Sequence, residues 1–226
     1  MKEKIMVLGA GAWGTSIANL LALNLKKKIT IWAHEKAVAN EINKDRKNNS
    51  FLANIKLSKN ICCTNSYTGK FAEYVFVVVP SQHVFTIVKD YLKSLPKTHH
   101  KKISIVLCSK GFDLKRKKLL SDMIGAHISQ SQIAILSGPS FAMLVAKKKP
   151  SAISLASQNI RLANKIRDLL SNNYFRVYLN KDIIGVQVNG ALKNVLAIAA
   201  GMTDGLGFGE NARAAIISRG LLEIEK

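Results

Sequence analysis

Short apolar runs rich in β-branched residues recur along the chain, each bounded by turn residues. They occupy 4–9 (KIMVLG), 29–33, 74–79, 103–108, 133–137, 151–156 and 175–179, and their length and composition predict strands. Helical spacing fills the gaps at 12–26, 36–44, 82–94, 117–127, 140–147 and 158–171. Strand and helix alternate, which predicts an α/β fold with a mainly parallel sheet and helices on both faces. From Asp182, a candidate N-cap, the pattern turns to helix only, over 183–203 and 210–225, split by the glycine-rich GLGFGEN. A boundary near 181 divides the chain into 1–181 and 182–226. The second part has 45 residues, too few for a core of its own, so it is expected to pack on the first part or on a partner.

The run 183–206 approaches membrane-spanning length. Lys193 stands near its middle, where a charge costs about 2.5–3.5 kcal/mol on insertion scales. Gln187, Asn189 and Asn194 add to that cost. The expectation is therefore a buried core helix and no membrane span. The amino terminus runs from a short apolar stretch straight into a glycine pattern, unlike a secretory signal.

Composition narrows the class. Hydrophobic residues at 48% and charged residues at 21% belong to a globular chain. Three cysteines, Cys62, Cys63 and Cys108, are no disulfide framework and point to a reducing, cytoplasmic setting. Neither they nor the five histidines carry metal-ligand spacing, so no structural metal is expected. The net charge is +20, with +21 over residues 1–181 and −1 over 182–226. The basic residues form short clusters without interleaved aromatics, which argues against nucleic-acid binding and favours anionic small molecules.

Residues 9–14, GAGAWG, match G-x-G-x-x-G between a strand and a helix. Gly9 suits the tight turn, Gly11 a close approach by a pyrophosphate, and Gly14 close packing of helix on strand. Free N–H groups and the dipole at the helix start attract phosphate. Glu35, 21 residues after Gly14, stands where an acid holds the adenine ribose. It favours NAD, whereas His34 and Lys36 favour a 2′-phosphate, so the choice between NAD and NADP stays open.

Lys193 has Asn189, Gly190, Leu196 and Ala197 as helix-face neighbours. The small ones leave room for a partly polar hollow, in which desolvation and a second cation would lower a lysine's pKa and suit it to proton transfer. The alternative is a lysine that snorkels to the surface or pairs with Asp204. Two loops at strand ends can sit beside it: CSKGF (108–112), whose Lys110 is the natural second cation, and SGPSFA (137–142). Lys110 also reads as one more surface lysine, Ser140 as a helix cap and Gly138-Pro139 as a simple turn.

Together these pieces resemble the bacterial NAD(P)-dependent glycerol-3-phosphate dehydrogenases. The stretch GALKNVLAIAAGMTDGLGFGEN (190–211) is similar to that family's signature, and GAGAWGT, IWAH, VVPS, SKGF, SGPSFA, FRVYLN and IGVQ fall in its order. The resemblance implies a Rossmann-type domain followed by a helical domain, with substrate between them. It implies reversible hydride transfer between NAD(P)H and dihydroxyacetone phosphate, giving sn-glycerol 3-phosphate for phospholipid synthesis. On this resemblance Lys193 donates and accepts the proton, and Lys110 touches substrate and cofactor. Gly138 and Ser140 line the substrate site, while Ala12, Trp13, His34 and Ala142 contact NAD or NADP. The family's helical domain runs further than residue 226 and supplies phosphate-binding groups there. The helical part of this chain is therefore expected to be partial, with an apolar face that invites a homodimer or aggregation. The rival expectations are a nucleotide-binding remnant without turnover and a related β-hydroxyacid dehydrogenase.

Overall fold

The computed structural model describes residues 4–225. Eight strands form one sheet in the order β3-β2-β1-β4-β5-β6-β7-β8. They are β1 (Ile5–Leu8), β2 (Ile29–Trp32), β3 (Ile61–Thr64), β4 (Tyr74–Val77), β5 (Ser104–Leu107), β6 (Ile133–Ser137), β7 (Ser151–Ala156) and β8 (Phe175–Asn180). Neighbours run parallel from β3 to β6; β7 is antiparallel to β6, and β8 is parallel to β7.

The central strands are apolar throughout because both faces are covered. Period two then sends alternate residues to opposite sides. Ile5, Val7, Phe76, Val106, Ala134 and Leu136 join one core; Met6, Leu8, Val75, Val77, Ile105, Leu107, Ile133 and Ile135 join the other. The first core is closed by α1 (Ala12–Leu25), α2 (Lys36–Asp45) and α7 (Ile160–Leu170), the second by α3 (Ser81–Lys93), α5 (Leu120–Gly125) and the first turn of α8 (Ile183–Gly205). The remaining helices are α4 (Lys97–His100), α6 (Ala142–Ala146) and α9 (Gly209–Glu225). The α/β class expected from the alternation is the one found.

Beyond the short unexpected helix α4, three elements differ from expectation. β3 (Ile61–Thr64) is an additional edge strand that buries only Ile61 and Cys63. Four residues with one inward face leave little periodic signal. Helix α5 starts at Leu120 instead of 117 because Lys118 is held in an isolated bridge to Asp113. Helix α8 is not a buried core helix. Its buried residues are Ile183, Val186, Gln187, Gly190, Ala200 and Thr203, whereas Ile198 is 65% and Met202 63% exposed. The helix lies along β6 and β7 with one face and pairs with α9 beyond the sheet, so its apolar residues outnumber the contacts this chain offers them. By length and composition α8 is long and apolar enough to cross a membrane; here it packs along β6 and β7 and its buried Gln187 bonds to Ser121 of α5.

Candidate active site

The carboxyl ends of β1, β4, β5 and β6 share one edge of the sheet, and four segments converge there. The first is the glycine turn. Gly9 has φ +115°, and a Cβ on it would stand 3.0 Å from both the Val78 carbonyl carbon and Val79 Cγ1, so only glycine fits. A Cβ on Gly14 would collide with the Gly9 carbonyl, whereas nothing lies within 4 Å of the place a Gly11 Cβ would occupy. Gly9 and Gly14 are thus required by the protein's own packing, and Gly11 opens onto free space. Helix α1 begins at Gly11 with no side-chain cap and no acid in its first turn. Its leading N–H groups and dipole are available to an anion. This combination fits a dinucleotide pyrophosphate. Ala12 and Trp13, half-buried, open the helix, and Gly9 N–H is held by the Trp32 carbonyl at the end of β2. His34 and Glu35 follow exposed from that strand end, on the side of the turn away from β5 and β6.

A buried clamp supports the turn. Asn48 Nδ2 donates to the Ala10 carbonyl (2.8 Å) and to Thr15 Oγ1 (2.7 Å), which itself donates to Ala10 (3.1 Å). Asn48 is fully buried, and its Oδ1 has no partner among the described residues. Asn48 escapes a reading of the sequence because it lies in a polar loop, KNNSF, with no local mark of its long-range contact.

The second segment follows β5. Gly111 has φ +119° beside Ser81. Ser109 Oγ donates to the Val79 carbonyl (2.5 Å), and Lys110 Nζ donates to the Gly138 carbonyl (3.3 Å). The third follows β6. Gly138, φ +154°, passes 3.2 Å from the Ile153 Cα by the same Cβ criterion. Ser140 Oγ is buried and without a partner among the described residues. It does not cap α6, whose N-cap is Phe141 with no side-chain bond. Ser16 of α1 donates to the Ala142 carbonyl (3.0 Å), which brings Ala142 beside the glycine-turn helix.

The fourth segment is α8, capped as expected by Asp182, whose Oδ1 accepts from Gly185 N–H (2.7 Å). The helix passes so close to β6 that a Cβ on Gly190 would collide with Ser137 Oγ. One turn on, half-buried Lys193 stands close enough to Lys110 for the two amines to repel one another. Asp204 pairs instead with Arg213 of α9 (3.4 Å). Burial, then the nearby Lys193 charge, lower the Lys110 pKa from 10.5 to about 8. The second cation expected beside Lys193 thus lies near it, and burial draws Lys110 toward neutrality. Asn189, Asn194 and Ala197 are exposed, so the hollow around Lys193 is one-sided. Burial pushes the Cys63 thiol up to about 12 and Cys108 higher still, which removes both as nucleophiles.

Comparison with known proteins agrees on one family. The family model described as the NAD-dependent glycerol-3-phosphate dehydrogenase N-terminus matches residues 4–163, and its C-terminus counterpart matches 182–226. Relatives named glycerol-3-phosphate dehydrogenase [NAD(P)+] include one from Citrifermentans bemidjiense, 42% identical over all of this chain and 68% of its own length. One from Bacillus velezensis is 37% identical over 99% of this chain and 65% of its own. The crystal structure of glycerol-3-phosphate dehydrogenase from Coxiella burnetii superposes with a TM-score of 0.90 at 34% identity, covering 99% of this chain and 68% of that one. The chain thus spans about two thirds of the length of the relatives it matches.

Proposed function

The chain belongs to the NAD-dependent glycerol-3-phosphate dehydrogenase family, and from that premise we propose that it interconverts dihydroxyacetone phosphate and sn-glycerol 3-phosphate with NAD(P)H or NAD(P)+. The dinucleotide, when bound, supplies or takes up the hydride. Gly9, Gly11 and Gly14 shape its phosphate site, with Ala12, Trp13, His34 and Ala142 as further contacts. Gly138 and the free hydroxyl of Ser140 face the substrate, and Lys110 reaches both molecules.

The observation that carries this reading is the Lys110–Lys193 contact on the sheet edge that also holds the glycine turn. Two amines there can share the proton that the ketone oxygen gains on reduction and the alcohol loses on oxidation. Lys193 donates and recovers it. Lys110, partly neutral near pH 8, passes it on without adding a second full charge beside the substrate phosphate. Residues 1–181 act as the cofactor-binding unit and 182–226 as part of the substrate-binding unit. The product supplies glycerophospholipid synthesis in the cytoplasm.

The test is loss of reduced-nicotinamide absorbance on adding dihydroxyacetone phosphate, with Lys193→Ala abolishing turnover. Turnover of another hydroxyacid in its place overturns the substrate assignment. A second reading, dinucleotide binding without turnover, is favoured by the exposed positions beyond Lys193 on α8, which leave that side of the site open. Saturable cofactor binding with no absorbance loss supports it.

A further inference from the structure

The two lysines ride on different parts of the chain, and one buried contact joins those parts. Helix α5 ends the loop that carries Lys110. Its N-cap is Leu119, which has no side-chain acceptor to offer. The missing acceptor comes from α8: Gln187 Oε1 accepts from Ser121 N–H (3.1 Å), and Gln187 Nε2 donates to Ser121 Oγ (2.8 Å) and to the Ile183 carbonyl (3.0 Å). Both amide protons of Gln187 and its oxygen are therefore engaged, and both residues are buried. Gln187 lies six residues before Lys193, about 9 Å along the helix. Past Gly190, which touches Ser137, α8 has few buried residues.

We propose that the Gln187–Ser121 pair is the positioning device that sets the distance between Lys110 and Lys193. It touches neither reacting group. It fixes the rotation and height of α8 against the start of α5, so that Lys193 arrives opposite Lys110. A buried polar pair with every donor and acceptor matched specifies one register, because sliding α8 leaves the amide and the α5 N–H unsatisfied. The pair has a use only if the lysines act as the dehydrogenase reading assigns, but its geometry can be tested without substrate.

The test follows the Lys110 amine by competitive acylation against pH, read by mass spectrometry, in the full chain and in Gln187→Met, Ser121→Ala and the double variant. Met keeps the length of Gln187 and removes its hydrogen bonds; Ala keeps the α5 N–H and removes the hydroxyl. If the pair sets the spacing, each variant lets Lys193 move off and raises the Lys110 midpoint. A rise of one unit means about tenfold less free amine, and so about tenfold slower acylation, near neutral pH. The double variant should shift no further than Gln187→Met alone, since the two residues act as one unit. A folded Gln187→Met protein with its Lys110 midpoint still near 8 overturns the proposal. Should Gln187→Met fail to fold, Ser121→Ala decides alone by the same criterion. Absence of turnover in the parent chain would count against the dehydrogenase reading and leave this result untouched.

Discussion

Lys110 and Lys193 stand side by side at the sheet edge, two amines that carry donors and no acceptor when charged. Burial first, and then the neighbouring Lys193 charge, lower the Lys110 pKa to about 8. This has a consequence for stability. Between about pH 8 and 10.5 the unfolded chain keeps a proton on Lys110 that the folded chain has lost, so stability rises with pH across that window. Below pH 8 both states are protonated and the penalty is full. Lys110→Met should therefore stabilise the protein at pH 7 by about 1 kcal/mol, after discounting for a half-exposed site. The gain should fade as pH rises toward 10.5. Urea unfolding of both proteins at pH 7 and pH 10 measures it; an equal difference at the two pH values contradicts it.

The glycines of the turn separate folding from binding. Gly11 has φ −66° and open space beside it, so Gly11→Ala should melt within a few degrees of the parent while losing at least about tenfold in NADH affinity, a difference of about 1.4 kcal/mol. Gly14→Ala meets the Gly9 carbonyl and should lose stability as well, by about 1–3 kcal/mol of overpacking. Thermal melting alongside NADH fluorescence titration tells them apart. Equal NADH affinity in Gly11→Ala would show that the turn does not hold the pyrophosphate.

Asn48 links the loop after α2 to the same turn. Replacing it with Leu removes a donor from both the Ala10 carbonyl and the Thr15 hydroxyl in a buried setting, at about 1–3 kcal/mol. The Ala10 carbonyl then keeps only its bond from Thr15, and NADH binding should weaken more than the melting temperature alone predicts. Asn48→Leu that binds NADH normally would reduce Asn48 to a purely structural contact.

These positions show what local pattern can and cannot carry. The glycine turn, the strands around it and the loops bearing Lys110 and Ser140 follow from short-range rules, since alternation and glycine spacing are properties of neighbouring residues. The Asn48 clamp and the Gln187 cap on α5 join residues far apart in sequence, and nothing near either one marks it. Burial is the other blind spot. Lys193 sits in the most apolar stretch yet is only half-buried, because the face of α8 that is covered and the face left open are decided by the sheet beneath. The same cause turned an expected core helix into a half-covered one.

That open face gives the last prediction. Val195, Ile198 and Met202 on α8 and Leu206 just after it are exposed, as are Ile217, Leu221 and Leu222 on the adjoining α9. A contiguous apolar surface of this kind drives association in water. The surface carries little charge to oppose it, since residues 182–226 balance to −1 while the rest of the chain holds +21. Self-association through this face should follow mass action and strengthen with salt, which screens the repulsion between the basic remainders. Burying one such side chain contributes about 1.5–3 kcal/mol at most. The double substitution Ile198→Ser, Met202→Ser should then weaken association by at least about tenfold, with little change in melting temperature because neither side chain is buried in the fold. Sedimentation velocity over a concentration series reads the outcome. A monomer at every concentration would refute association through this face, and association that survives the double substitution and weakens with salt would place the contact on the basic surface of the larger domain.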